Sequence, residues 1–100
     1  MRKAADVLFL LATFSIRTNL LDKAEIYGRA GHHLFPDDLR LIEVYAYALL
    51  LKGDVTGAET VLQATPTATR NLAFLRARVA MLAGRPIEEQ RAGLRAYLDA

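Results

Sequence analysis

The chain has 100 residues, of which 53% are hydrophobic, with a formal net charge of +2 and no cysteine. That length permits one domain or one short array of repeats, and an apolar fraction above the usual ~45–50% excludes a disordered chain. The absence of cysteine excludes disulfides and thiolate metal sites and suits a reducing compartment.

Apolar residues recur at three- and four-residue intervals along the whole chain, and no stretch alternates with the period of two that a strand needs, so an all-α fold is expected. Breakers divide the chain into six helical segments, predicted at 4–17, 21–33, 37–52, 54–64, 69–83 and 86–98, within a single domain spanning 1–100. In the first, a basic start followed by Val7-Leu8-Phe9-Leu10-Leu11-Ala12 has the order of a signal peptide. Asp6 interrupts the entry to that run, no small-x-small cleavage site follows Ile16, and Arg17 comes next. The run also falls short of the ~20 apolar residues a bilayer takes. It is read as a buried helix.

The second segment ends in His32 and His33. Adjacent residues on a helix point about 100° apart, so the two imidazoles cannot share one metal, and polar capping near the helix end is the expected role. No metal or other cofactor is expected. The third begins at Pro36 with Asp37 and Asp38 behind it, and carries a stripe of Leu39, Ile42, Tyr45, Ala46, Leu49 and Leu50. Gly53 ends it, as a residue that tolerates the left-handed conformation. The fourth stops early, at Leu62-Gln63-Ala64-Thr65-Pro66. The fifth carries a stripe of Leu72, Leu75, Val79 and Leu82 and ends at Gly84. The sixth starts at Pro86, with Glu88 and Glu89 in the first turn favouring the helix dipole. Connections this short make neighbouring helices pack antiparallel, as a stack of hairpins.

Residues 70–100 carry six arginines (Arg70, Arg76, Arg78, Arg85, Arg91 and Arg95) against Glu88, Glu89 and Asp99. Spaced in this way they read as a solvated helix surface, with nucleic-acid binding the weaker alternative. No catalytic constellation is visible. Ser15 is the one serine and sits in an apolar helix, and Gly53-Asp54-Val55-Thr56-Gly57-Ala58 lacks the Lys-Ser/Thr ending of a phosphate loop. An enzyme is not expected.

Self-comparison gives the most specific signal. Ala12 and Ala46 are 34 residues apart, as are Ala24 and Ala58, Leu8 and Ile42, and Asn19 and Gly53. A third unit follows at a spacing of 31, from Ala46 to Ala77 and from Gly53 to Gly84. Thirty-four residues is the period of the tetratricopeptide repeat, and ALLLKGDVTGAETVL resembles its core pattern of a small residue, a Gly-Asp turn and an alanine in the second helix. Pro36 falls where such a repeat usually ends. The units are degenerate: Asn19 replaces the turn glycine, Gly28 and Gly31 replace bulkier residues, and Glu89 stands where the third unit would have its alanine. The expected architecture is a short tetratricopeptide-like array of three degenerate hairpins.

In such arrays the first helix of each hairpin lines a groove. Carried through the repeat, the register assigns to that groove Phe9, Thr13 and Ile16, then Glu43, Tyr47 and Leu50, then Phe74, Arg78 and Met81. Six of the nine are large and apolar, which suits the apolar face of an amphipathic helix. The alternative is that the last helix fills the groove and these residues are core.

From Ala24 onward the chain also resembles the small type III secretion chaperones that hold the needle subunit. An alanine-containing helix precedes LIEVYAYALLLKGDVTGAE, a shortened helix and a proline-containing loop follow, and FLRARVAMLAGRPIEEQRAGL closes the layout. The tryptophans common in the third unit of that family are replaced here by Leu72 and Phe74. The resemblance implies a cytoplasmic chaperone with no membrane insertion. Its groove would cover an amphipathic helix of the secreted needle-type subunit, and a small helical co-chaperone would pack on the first hairpin. A generic tetratricopeptide-like adaptor for other proteins is the alternative.

Overall fold

The computed structural model of the chain describes residues 3–65 and 69–99, so the loop expected to contain Pro66 lies outside the described residues. The described residues form six helices and no strand: α1 Lys3–Arg17, α2 Leu21–Leu34, α3 Leu39–Leu51, α4 Val55–Gln63, α5 Arg70–Leu82 and α6 Ile87–Asp99. The extents are 40 × 27 × 20 Å.

The three within-hairpin turns are built alike. Asn19, Gly53 and Gly84 all have positive φ, at 61°, 84° and 67°. After each, an amide reaches back five residues to a carbonyl of the ending helix: Leu20 to Ser15, Asp54 to Leu49 and Arg85 to Ala80, at 2.7, 2.8 and 3.0 Å. This left-handed closure satisfies carbonyls that the helix end would leave unpaired. Asn19, although not glycine, does the same work, since asparagine tolerates that conformation best among side-chain-bearing residues.

The starts of α3, α4 and α5 are set by side-chain caps. Asp38 accepts from the Arg40 amide (3.1 Å), Asp54 from Gly57 (2.9 Å) and Thr69 from Leu72 (3.1 Å). The third helix therefore begins at Leu39, two residues later than expected. Asp38 is its cap rather than a first-turn acid, and Pro36 and Asp37 belong to the preceding turn.

Each helix packs on the next in sequence, and α1 packs on α3 as α3 does on α5; α2 and α4, and α4 and α6, do not pack on each other among the described residues. One core cluster joins Ile42, Ala46 and Leu49 to Ala58, Leu62, Leu72, Leu75 and Val79. A second joins Ala5 and Ala12 to Leu41 and Val44. The repeat alanines Ala12, Ala46 and Ala77 are all buried, as are Ala24 and Ala58. Small residues there let backbones approach. A Cβ on Gly28 would lie 2.9 Å from Tyr45 Cα, so α2 and α3 touch nearly backbone to backbone. In α6 that role passes to Gly93, whose own Cβ would meet Ala77 at 3.2 Å.

Three expectations fail. The α1 run is not a buried helix: Ala5, Ala12 and Ser15 are buried, but Leu10 is 64% and Phe14 62% exposed. In α5, Leu72, Leu75 and Val79 are buried while Leu82, in the last turn, is exposed. His32 does not cap the helix either: its ring lies 6.0 Å from that of Tyr45, and its buried Nδ1 has no hydrogen-bond partner.

Ion pairs clasp the hairpins together at equivalent points. Lys52 bridges Asp22 (2.8 Å) and Glu25 (2.7 Å), and Arg85 holds Glu59 (2.5 Å), 34 residues after Glu25. The hydrogen bond and charge of Lys52 hold the Asp22 carboxyl below its ordinary range. A depressed carboxylate contributes stability above its unfolded-state pKa and loses it as pH falls through the folded-state value. The thermal midpoint is therefore expected to drop modestly between pH 6 and pH 3. Lys52→Met should flatten part of that acid limb, and an unchanged limb would show that the clasp contributes nothing.

Candidate functional groove

Helices α1, α3 and α5 form one layer. Asp6 of α1 meets Arg40 of α3 at 2.8 Å, and Glu43 of α3 meets Asn71 of α5 at 3.2 Å. Both pairs join N-terminal halves, so the three helices run the same way. On their shared face lies a cavity of about 290 Å3, lined by Phe9, Arg40, Glu43, Val44, Tyr47, Asn71, Phe74 and Leu75. Four of the residues assigned from the repeat register, Phe9, Glu43, Tyr47 and Phe74, thus meet in one place.

The cavity walls are held from several sides. Arg40 donates to both carboxylate oxygens of Asp38 (3.2 and 3.0 Å) and to Asp6, and its guanidinium lies 5.0 Å over the Phe9 ring. These carboxylates raise its pKa further, so it is cationic at any working pH. Glu43 accepts from the Thr69 hydroxyl at 2.8 Å and from the Asn71 amide at 3.2 Å. Because Thr69 also caps α5, the start of that helix is tied directly to the groove carboxylate. Tyr47 and Phe74 stand more open, 42% and 39% exposed, and give the cavity its apolar floor.

The remaining assigned residues lie elsewhere. Ile16 and Leu50 are half-buried, packed against the α1–α3 and α3–α5 clusters respectively. Thr13 is half-buried, and Arg78 and Met81 are exposed outside the cavity. The last helix does not fill the groove: among the described residues α6 packs on α5 alone, and it borders the cavity only where Tyr97 meets Phe74, ring centroids 5.5 Å apart.

Sequence reasoning missed Arg40, Val44, Asn71 and Leu75. The signal was present, since Arg40 and Asn71 each lie one helical turn before an assigned residue on the same face, and their separation of 31 is that of the repeat. Among the described residues no group of three or more His, Asp or Glu side chains could hold a metal, and no helix is long and apolar enough to cross a membrane. Comparison with protein families, curated proteins and solved structures finds no match to this chain.

Proposed function

We propose that this protein is a tetratricopeptide-like chaperone of a type III secretion system, working in the cytoplasm, which shields an amphipathic helix of a secreted needle-type subunit. The observation that carries the reading is the half-open cavity between α1, α3 and α5, whose floor leaves Tyr47 and Phe74 exposed beside a half-buried Phe9. A polymerising subunit exposes an apolar helix stripe as a monomer, and a groove of this kind removes that stripe from water through anchors at i, i+3, i+4 and i+7. Arg40 and Glu43 at the rim would fix the orientation of the bound helix through charges flanking its stripe. A generic adaptor that takes extended peptides is the other reading, and the polar share of the lining, Arg40, Glu43 and Asn71, is what favours it.

The test is fluorescence anisotropy with a synthetic C-terminal helix of a type III needle subunit, together with an extended peptide of the same composition. Micromolar or tighter binding of the helix is expected, weakened at least about tenfold by Tyr47→Asp, which places an unpaired charge on the apolar floor. Helical content by circular dichroism should stay unchanged, since Tyr47 lies on the open face of α3 outside the core clusters. Binding of the extended peptide alone would assign the adaptor role. Helix binding indifferent to Tyr47→Asp would remove the groove from the mechanism.

A further inference from the structure

The exposed stripe on α1 has a counterpart inside the molecule. Val7, Leu10, Leu11 and Phe14 lie 34 residues before Leu41, Val44, Tyr45 and Ala48 of α3. Those four form the side of α3 that packs on the first hairpin, where Leu41 closes over Gly31 and Tyr45 over Gly28. Thirty-one residues further on come Leu72, Leu75, Arg76 and Val79 of α5. Leu72, Leu75 and Val79 pack with Ala58 and Leu62 of α4, and Arg76 donates to the Leu62 and Thr65 carbonyls at the end of that helix. One helix face thus makes the same hairpin-to-hairpin junction twice, and α1 carries its third edition with no hairpin packed upon it among the described residues.

The opposite side of the junction is also left open. The repeat position occupied by Ile16 and Leu50 is half-buried in the first and second hairpins, each followed by another hairpin. In the third hairpin it is Met81, 53% exposed. In the same hairpin α6, which has no buried residue, carries Gly93 and Ala96 at the repeat positions of Gly28 and Gly31, over which α3 packs in the first junction.

We propose that these two ends belong together: the α1 stripe of one copy docks on the α5–α6 end of a second copy, head to tail, repeating the junction already used within the chain. Charge favours this arrangement over symmetric pairing of two α1 helices. Antiparallel α1 stripes would set Lys3 of one copy near Arg17 of the other. Docked parallel to α5, and so antiparallel to α6, α1 brings its Arg17 end beside Glu88 and Glu89 and its Lys3 end beside Asp99. Because the two faces differ, the contact is heterologous and each added copy presents a fresh end. The groove is not used, so the proposal stands apart from the function proposed above.

Sedimentation equilibrium of the full chain over a concentration series tests it. Weight-average mass should climb past that of a dimer. Leu10→Glu and Met81→Glu alter exposed positions on opposite ends, and each alone should raise the concentration needed for assembly at least about tenfold. Mixed in equal amounts they should form a dimer that grows no further, since each retains the end the other has lost. Tyr47→Asp should leave assembly unchanged, which separates this test from that of the groove. Monomer at all concentrations would overturn the proposal and assign both ends to partners of other sequence. Association lost in Leu10→Glu but kept in Met81→Glu would overturn it in favour of symmetric α1 pairing.

Discussion

Leu72→Ala is expected to lower the unfolding free energy by about 2–5 kcal/mol, as deep leucine truncations do. Leu72 is fully buried where α5 meets α3 and α4, so the lost transfer energy is joined by that of a cavity the surrounding helices cannot close. A domain of this size has only about 5–15 kcal/mol in total, so the midpoint of thermal unfolding should fall by roughly 10 °C or more. Leu82→Ala is the informative contrast. It lies on the same apolar stripe by spacing, yet is exposed, and should change stability by no more than about 0.5 kcal/mol. Equal losses for the two would mean that α5 is rotated from the orientation described.

Gly28→Val should be comparably damaging for the opposite reason. A single Cβ there would already sit 2.9 Å from Tyr45 Cα and 3.0 Å from Tyr45 Cβ, and the obstructing atoms are mostly backbone, which cannot swing aside. Two further methyl groups force α2 and α3 apart, and overpacking of this kind costs about 1–3 kcal/mol or more. Gly93→Ala is the control. Its nearest obstacle, Ala77 Cα, is at 3.2 Å, and alanine returns up to about 1 kcal/mol of helix propensity, so the net change should be near zero. Urea unfolding of the two variants separates them. A Gly28→Val protein as stable as the parent would show that the helices are not in backbone contact.

How much of this was legible in the sequence depends on what periodicity can encode. The 34- and 31-residue spacings mark three identical left-handed turns at Asn19, Gly53 and Gly84 and the buried alanines Ala12, Ala46 and Ala77, because both features are local or involve sequence neighbours. Spacing also placed Phe9, Glu43 and Phe74, one register position in three hairpins, around one cavity. It could not tell whether an apolar face has something to pack on. The position shared by Ile16, Leu50 and Met81 is half-covered twice and open once, since only the first two hairpins are followed by another. The same blindness made α1 look like a core helix. The polar groove residues Arg40 and Asn71 escaped notice because an apolar-pattern search passes over them, although the hydrogen bonds they make to Asp6 and Glu43 join the layer together.

Among the described residues the final helix is attached at one junction only, to α5, and buries no residue of its own. In a linear array of this kind the cost of opening a segment is set by the junctions that must break, not by the stability of the whole. Amide hydrogens of α6 should therefore exchange with solvent through a local opening, those of α3 only when two hairpins part at once. The protein unzips from its C-terminal end inward, and α3, touching four other helices, is the last part to let go.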